Sequence, residues 1–213
     1  MKVLDNGFVE IIDVMGSDLS VVNSARVSFG KKAEKIRPRD ERLINYLWEH
    51  NHSSPFRHAT LQFHIKAPIF VLRQWMKHQV GCAWNEISGR YVEFDYEFYT
   101  PHHFRVQSKD NKQGSEGEID PTTEKQAQEV YWDTCDNAMQ SYSDLLNMGV
   151  AKEQARMVLP LNLYSECYWT ASLQAVMHFL KLREDTHSQW EIQEYARAVR
   201  EISKDHFPIS LKL

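Results

Sequence analysis

The sequence predicts an α+β fold in which a small antiparallel sheet packs against several helices. Two strand signals and one helix signal support it. Thr60 to Lys66 alternates strictly, with Leu61, Phe63 and Ile65 on one face and Thr60, Gln62, His64 and Lys66 on the other. Val92 to Tyr99 alternates in the same way, Val92, Phe94, Tyr96 and Phe98 opposing Glu93, Asp95 and Glu97. A period of two with one apolar face fits a half-buried antiparallel strand. The second half of the chain changes period. Ala127, Val130, Tyr131, Cys135, Ala138, Tyr142, Leu145 and Leu146 recur at three-and-four spacing, which lays one apolar stripe along a helix.

The remaining elements follow in chain order. Phe8 to Val14 is a weaker strand candidate. The basic stretch Gly30 to Asp40 leads into a helix over Asp40 to His50, and another helix is expected over Ile69 to His78. Ser108 to Asp120 is polar and holds two glycines, so it reads as an exposed loop or a lobe boundary. Asp120 can cap the long helix with Pro121 at its first position, and Gly149 stops it. A short helix carries Ala155, Arg156 and Val158 before Pro160. A further helix is expected from Ser165 to Leu182. The last begins at Thr186, where Thr186-x-x-Gln189 reads as a capping box, and runs through Tyr195, Val199 and Ile202. No repeat or low-complexity block divides the 213 residues, so a single domain over 1–213 is expected.

Composition narrows the function classes. A chain of this length buries roughly 70% of its unfolded surface and needs no staples. Hydrophobic residues are 42% and charged residues 25%, as in ordinary globular domains. The net charge of −4 argues against binding nucleic acid through phosphate neutralisation. The longest apolar run, Ala67 to Leu72, is far below the ~20 residues of a membrane span, and no leader pattern opens the chain. Cys82, Cys135 and Cys167 are odd in number and form no C-x-x-C pair, which fits a reducing, cytoplasmic setting rather than a disulfide framework or zinc ribbon.

The densest chemistry lies between Arg73 and Tyr91. Ser88 and Gly89 can offer backbone N–H groups and Arg90 a forked cation, together a phosphate cradle; a capped turn with a surface arginine reads equally well. Arg156 and Arg183 each sit against apolar sequence, where an arginine either pairs with a carboxylate or lines a pocket for an anion. His50-x-His52, with His58 and His64 downstream, lacks supporting cysteines and any H-E-x-x-H pattern, so no metal site is expected. Ser54 and His52 could instead hydrogen-bond a ligand. There is no G-x-G-x-x-G, no phosphate-binding G-x-x-x-x-G-K-[ST] and no G-x-S-x-G. A nucleophilic cysteine is weakly supported, since only Cys82 has a histidine close in sequence.

Ordered segments along the chain resemble one family. The run Arg73-Gln74-Trp75, Lys77-His78-Gln79 and Asn85-Glu86-Ile87-Ser88-Gly89-Arg90-Tyr91 is similar to the signature of the flavin-dependent thymidylate synthases. Gly7 to Glu10, Ala25 to Phe29, His52 to Phe56, Ala67 to Val71, Ala155-Arg156 with Leu159 to Asn162, and Leu182-Arg183 with His187 to Glu191 match in order. The resemblance implies an α+β enzyme that makes dTMP from dUMP. Methylene-tetrahydrofolate would give the carbon, FAD would carry the hydride, NADPH would reduce it, and no protein nucleophile would attack the uracil. It further implies a homotetramer whose active sites are built from more than one subunit.

Residue roles follow from the same resemblance. Gln74, Trp75, Met76 and Lys77 would border dUMP. Glu86, Ile87, Ser88, Gly89 and Arg90 would hold it, and Arg156 would add a phosphate contact. Arg183 would be catalytic, facing the pyrimidine and stabilising an N3-ionised uracil. Ser54, Lys77, His78, Gln79 and Glu86 would contact FAD, with Ser172, Gln174, His178, His187 and His52 on the flavin side. The chain departs from the commoner pattern in two places. Lys77-His78-Gln79 followed by eight residues and Ser88 stands where the family more often has Arg-His-Arg, seven residues and Ser. Ser172, Gln174 and His178 stand where Asn, Arg and Asn are expected. Both departures bear on FAD and folate more than on dUMP. A homologue that binds nucleotide and flavin without turnover is the alternative they suggest. A single-strand nucleic-acid binder using aromatics is the alternative from another class.

Overall fold

A computed structural model describes residues 1–93 and 97–213. Its main sheet has five strands: β1 (Lys2–Val3), β2 (Gly7–Met15), β3 (Thr60–Pro68), β4 (Cys82–Glu86) and β7 (Tyr164–Ser172). Their order is β1-β2-β3-β7-β4, and every pairing is antiparallel. The strict alternation of β3 has the expected result. Leu61, Phe63, Ile65 and Ala67 are fully buried, and in register with them β7 buries Ala171, Trp169, Cys167 and Ser165. Three helices cover this face: α3 (Ile69–Trp75), α6 (Leu173–Arg183) and α7 (Trp190–Ser203).

Trp75 is the hub of the core. Its ring stacks on Phe179 at 4.5 Å and meets Trp169 at 5.3 Å and Tyr195 at 5.9 Å, so α3, α6, α7 and the sheet converge on one side chain. α1 (Asp18–Arg26) and α2 (Pro38–Glu49) close one end. There the buried Asp40 pairs with Arg26 and accepts the N–H of Arg37, and the buried Asp18 accepts from the backbone of Ile209 and Ser210.

The remaining elements form a lobe: a hairpin of β5 (Arg105–Gln107) and β6 (Ser115–Glu118), the long α4 (Pro121–Asn147), and α5 (Lys152–Ala155). Asp120 caps α4 by accepting from the N–H groups of Thr122 and Thr123. A small second core of Phe98, Cys135 and Leu163 lies beneath α4. The lobe is tied to the body through the buried carboxylate of Glu191, which accepts from Arg105 at 2.7 Å and from the Tyr99 hydroxyl at 3.2 Å. Among the described residues no helix is long and apolar enough to cross a membrane.

Several expected elements differ. The helix expected over 165–182 is a strand to Ser172 and a helix only from Leu173. The segment YSECYWTAS alternates buried and open positions and bonds to strands on both sides, and this pairing outweighs the three-and-four pattern that begins with Leu173. The strand expected over 92–99 has its centre, 94–96, outside the described residues. Val92 instead closes a turn onto the Ser88 carbonyl, and Phe98 makes a single bridge to Leu163. The helix expected over 69–78 ends at Trp75. α7 starts at Trp190 with Gln189 as its cap residue, because the turn before it is organised by Asp185, which accepts the His187 N–H. Part of the polar stretch 108–120 is β6, exposed along its length. The short edge strand β4 carries no periodic signal long enough to announce it.

Candidate active site

The expected residues fall into groups that the fold assembles separately. The first surrounds Arg183. α6 delivers this residue at its last position, half-buried, where its Nε donates to His78 Nε2 at 3.0 Å and its Nη2 to the Gln74 carbonyl at 3.2 Å. Burial holds His78 near a pKa of about 4, helped by the positive charge of Arg183 and by His178. The imidazole is therefore neutral at physiological pH, with Nε2 as acceptor and the proton on Nδ1. Burial also lowers Arg183, yet a guanidinium starts so high that it stays charged. No carboxylate pairs with it among the described residues. The result is a cation oriented by neutral acceptors, its charge uncancelled and its remaining donors free for a ligand.

Gln74 links this group to α7. Its Nε2 donates to Gln189 Oε1 at 2.6 Å. Gln189 carries no local signal of such a role; the fold alone brings the cap residue of α7 to the end of α3. Of the four residues expected along dUMP, Gln74 and Lys77 face outward. Trp75 is fully buried in the core, and Met76 packs against it. Trp75 can therefore meet a ligand only through its backbone.

The second group lies along the edge strand and the turn after it. Glu86 accepts from the Ser165 hydroxyl at 2.6 Å, on the helix-covered face of the sheet. The Ile87 N–H bonds to the Glu166 carbonyl, which pins the start of the turn. Ser88 then shapes it: its hydroxyl accepts the Arg90 N–H at 3.3 Å, and its carbonyl accepts from Tyr91 and Val92. Gly89 is buried inside the turn. Arg90 reaches Glu153 at 3.5 Å, both side chains more than half exposed. Arg156 follows Glu153 in chain order, as the first residue of the 3-10 turn after α5, and the Arg90–Glu153 pair is one that an anionic ligand can displace. No hydrogen bond or ion pair joins this group to the Arg183 group among the described residues.

The residues expected at the flavin form a third group, adjoining the first through the influence of His178 on His78. Ser54 opens a 3-10 turn, Ser54–His58, anchored by buried Pro55 and Phe56. Ser172 caps α6 by accepting the Ala175 N–H at 3.3 Å. Gln174 and His178 stand one turn apart on α6, with His178 edge-on to Trp48 at 5.4 Å. Gln174 Oε1 accepts from Arg57 Nε at 2.5 Å, a partner 117 residues away in sequence that no local pattern announces. His52 lies edge-on to Tyr46. Lys77 and Gln79 are exposed, and His187 turns onto Asp185 at 2.8 Å rather than toward the other flavin residues.

The thiols offer no nucleophile. Cys135 and Cys167 are buried, and burial pushes all three upward, Cys167 to about 12. At neutral pH they are protonated.

A family model described as thymidylate synthase complementing protein matches residues 10–209. A flavin-dependent thymidylate synthase of Kosmotoga olearia is 46% identical over 210 residues, covering 99% of this chain and 90% of its own. One from Thermus thermophilus is 49% identical over 210 residues, covering 99% of this chain and 76% of its own. Among solved structures, a UMP/dUMP methylase, PolB from Streptomyces cacaoi, bound with 5-Br dUMP, superposes with a TM-score of 0.87 at 32% identity, covering 100% of this chain and 96% of that one. Identity at this level over 99% of the chain, with the family model matching residues 10–209, makes the chain a member of the flavin-dependent thymidylate synthases.

Proposed function

We propose that the chain converts dUMP to dTMP, with methylene-tetrahydrofolate as carbon donor, FAD as hydride carrier and NADPH as reductant. The observation that carries this reading is the Arg183 group: a charged guanidinium, paired with no carboxylate among the described residues, held by a neutral histidine and a backbone carbonyl. A cation so placed favours the anionic form of a pyrimidine lying against it, because loss of the N3 proton creates charge where the donors already point. Ionisation enriches C5, the carbon that must form the new bond, so activation needs no protein nucleophile. The protonated thiols agree with that route.

The groups around α6 fit FAD. Ser54, Ser172, Gln174 and His178 offer hydrogen-bonding side chains beside a helix N-terminus, a setting suited to a polar, anionic cofactor. When bound, FAD supplies the hydride. The chain's own part is to bind and orient: Ser88, Gly89, Arg90 and Arg156 for the phosphate of dUMP, Glu86 and Gln74 for its flank, Arg183 for the ring. Among the described residues no hydrogen bond or ion pair joins the Arg90 group to the Arg183 group within one chain, which fits a site built from the first group of one subunit and the second of another. This supports the homotetramer with shared sites. The free cysteines support a cytoplasmic setting.

The test is to mix purified protein anaerobically with FAD, NADPH, methylene-tetrahydrofolate and dUMP, and in parallel UMP, and to read the methylated nucleotide by mass spectrometry. FAD-dependent dTMP is expected. Binding of dUMP and FAD without product would replace this reading with that of a catalytically impaired homologue, the departure at Lys77 to Gln79 being the first place to repair.

A further inference from the structure

We propose that Arg57 is the cation that grips the phosphate portion of the flavin cofactor, a role that builds on the flavin reading above. Arg57 sits on the 3-10 turn that also carries Ser54. Its Nε donates to Gln174 Oε1 at 2.5 Å, and its Nη2 to Ser53 Oγ at 3.4 Å. Both acceptors are neutral. Among the described residues Arg57 enters no ion pair. A guanidinium has five donors in a planar fork, and two of these hydrogen bonds orient the fork without cancelling its charge. This is the same arrangement seen at Arg183, where neutral acceptors hold a cation ready for a ligand.

The setting selects an anion. Gln174 is the second residue of α6, so the fork lies beside that helix's positive end. A lone cation is electrostatically misplaced there, whereas a phosphate between the guanidinium and the helix end satisfies both. The other side chains assigned to the flavin stand on the same two elements: Ser54 on the same turn, Ser172 as the cap of α6, and His178 one turn beyond Gln174. The hydrogen bond between Arg57 and Gln174 also means that the cation could sit on either side of it with little displacement of charge.

The experiment compares FAD, whose diphosphate carries the negative charge, with riboflavin, which has no phosphate. Binding of each to the intact oligomer is followed by flavin fluorescence. Arg57→Gln is expected to weaken FAD about 10–100-fold, the size of one or two charge-assisted contacts at tenfold per 1.4 kcal/mol, and to leave riboflavin unchanged. It should also flatten the salt dependence of FAD binding. Arg57→Lys keeps the charge but loses the fork, and should fall between. The double variant Arg57→Gln with Gln174→Arg, which moves the cation across the hydrogen bond, should restore FAD to within about threefold of the parent. Equal loss of FAD and riboflavin in Arg57→Gln would show a merely structural role and overturn the proposal. Unchanged FAD binding would overturn it as well. A parent chain that binds neither flavin would overturn the flavin reading first. Thermal melts of each variant separate misfolding from lost binding.

Discussion

The Arg183 group and the Arg90 group handle charge in opposite ways. Around Arg183 the cation is half-buried, fixed at a helix end and oriented by a neutral imidazole and a carbonyl. Around Arg90 the cation is exposed and paired with Glu153, itself exposed. The first is finished within one chain: its geometry is set by α3 and α6, which share the Trp75 core. The second is provisional, since a surface ion pair contributes only about 0–1 kcal/mol and yields readily to a better anion. A group that must stabilise charge on a reacting ring has to be in place beforehand, whereas a group that only captures a phosphate can rearrange as it binds.

Removing the preorganised cation should give the largest effect. Arg183→Ala is expected to lower kcat by about 10²–10³, the range for loss of a donor aimed at developing charge. FAD binding should survive, as read by flavin fluorescence. Near-normal turnover would end the assignment. The scaffold beneath it comes next. Trp75→Ala should cost about 3–5 kcal/mol in denaturant unfolding, as for other large core aromatics, and should disturb the Arg183 group before the Arg90 group. Equal disturbance of both would show that the Arg90 group depends on the core as much, through Trp84 of β4, which meets Trp75 at 6.2 Å.

The imidazole supplies a pH test. His78 is near 4 folded and near 6.5 unfolded, so the unfolded chain binds the proton more readily. Its contribution is therefore present above pH 6.5 and lost as pH falls toward 4, about 2 kcal/mol after allowance for partial exposure. His78→Gln should flatten that stretch of the stability curve; an unaltered slope would place the titration elsewhere. The smallest effect belongs to the surface pair. Glu153→Gln should move stability by less than about 1 kcal/mol, while freeing Arg90 and lowering the KM for dUMP. A large loss of stability would show that the pair is structural rather than displaceable.

Much of this was legible in the residues. The alternation of β3, the capped α4 and the closeness of Glu86, at the end of β4, to Ser88 and Arg90 on the turn after it are local patterns, and the structure keeps them. Strand β7 was not legible, because its apolar residues run on into those of α6 and the choice between periods two and 3.6 is made by strands β3 and β4 on either side. Trp75 stood among residues expected at a ligand, yet its ring is the centre of the core; adjacent positions on a helix point about 100° apart, so a motif mixes ligand-facing and core-facing side chains. Arg57 lay in a segment read as a turn, and its partner Gln174 is 117 residues away in sequence.

Composition, periodicity and capping signals determined by themselves the α+β class and most of the helices, because these depend on residue type and near neighbours; the nucleotide and flavin residues were legible only as what the family resemblance implies. Tertiary structure alone decided which of those side chains meet. The neutrality of His78, the orientation of Arg183 and Arg57 by neutral acceptors, and the pairing of Arg90 with Glu153 all arise from burial and from contacts between distant segments, and no local pattern encodes either.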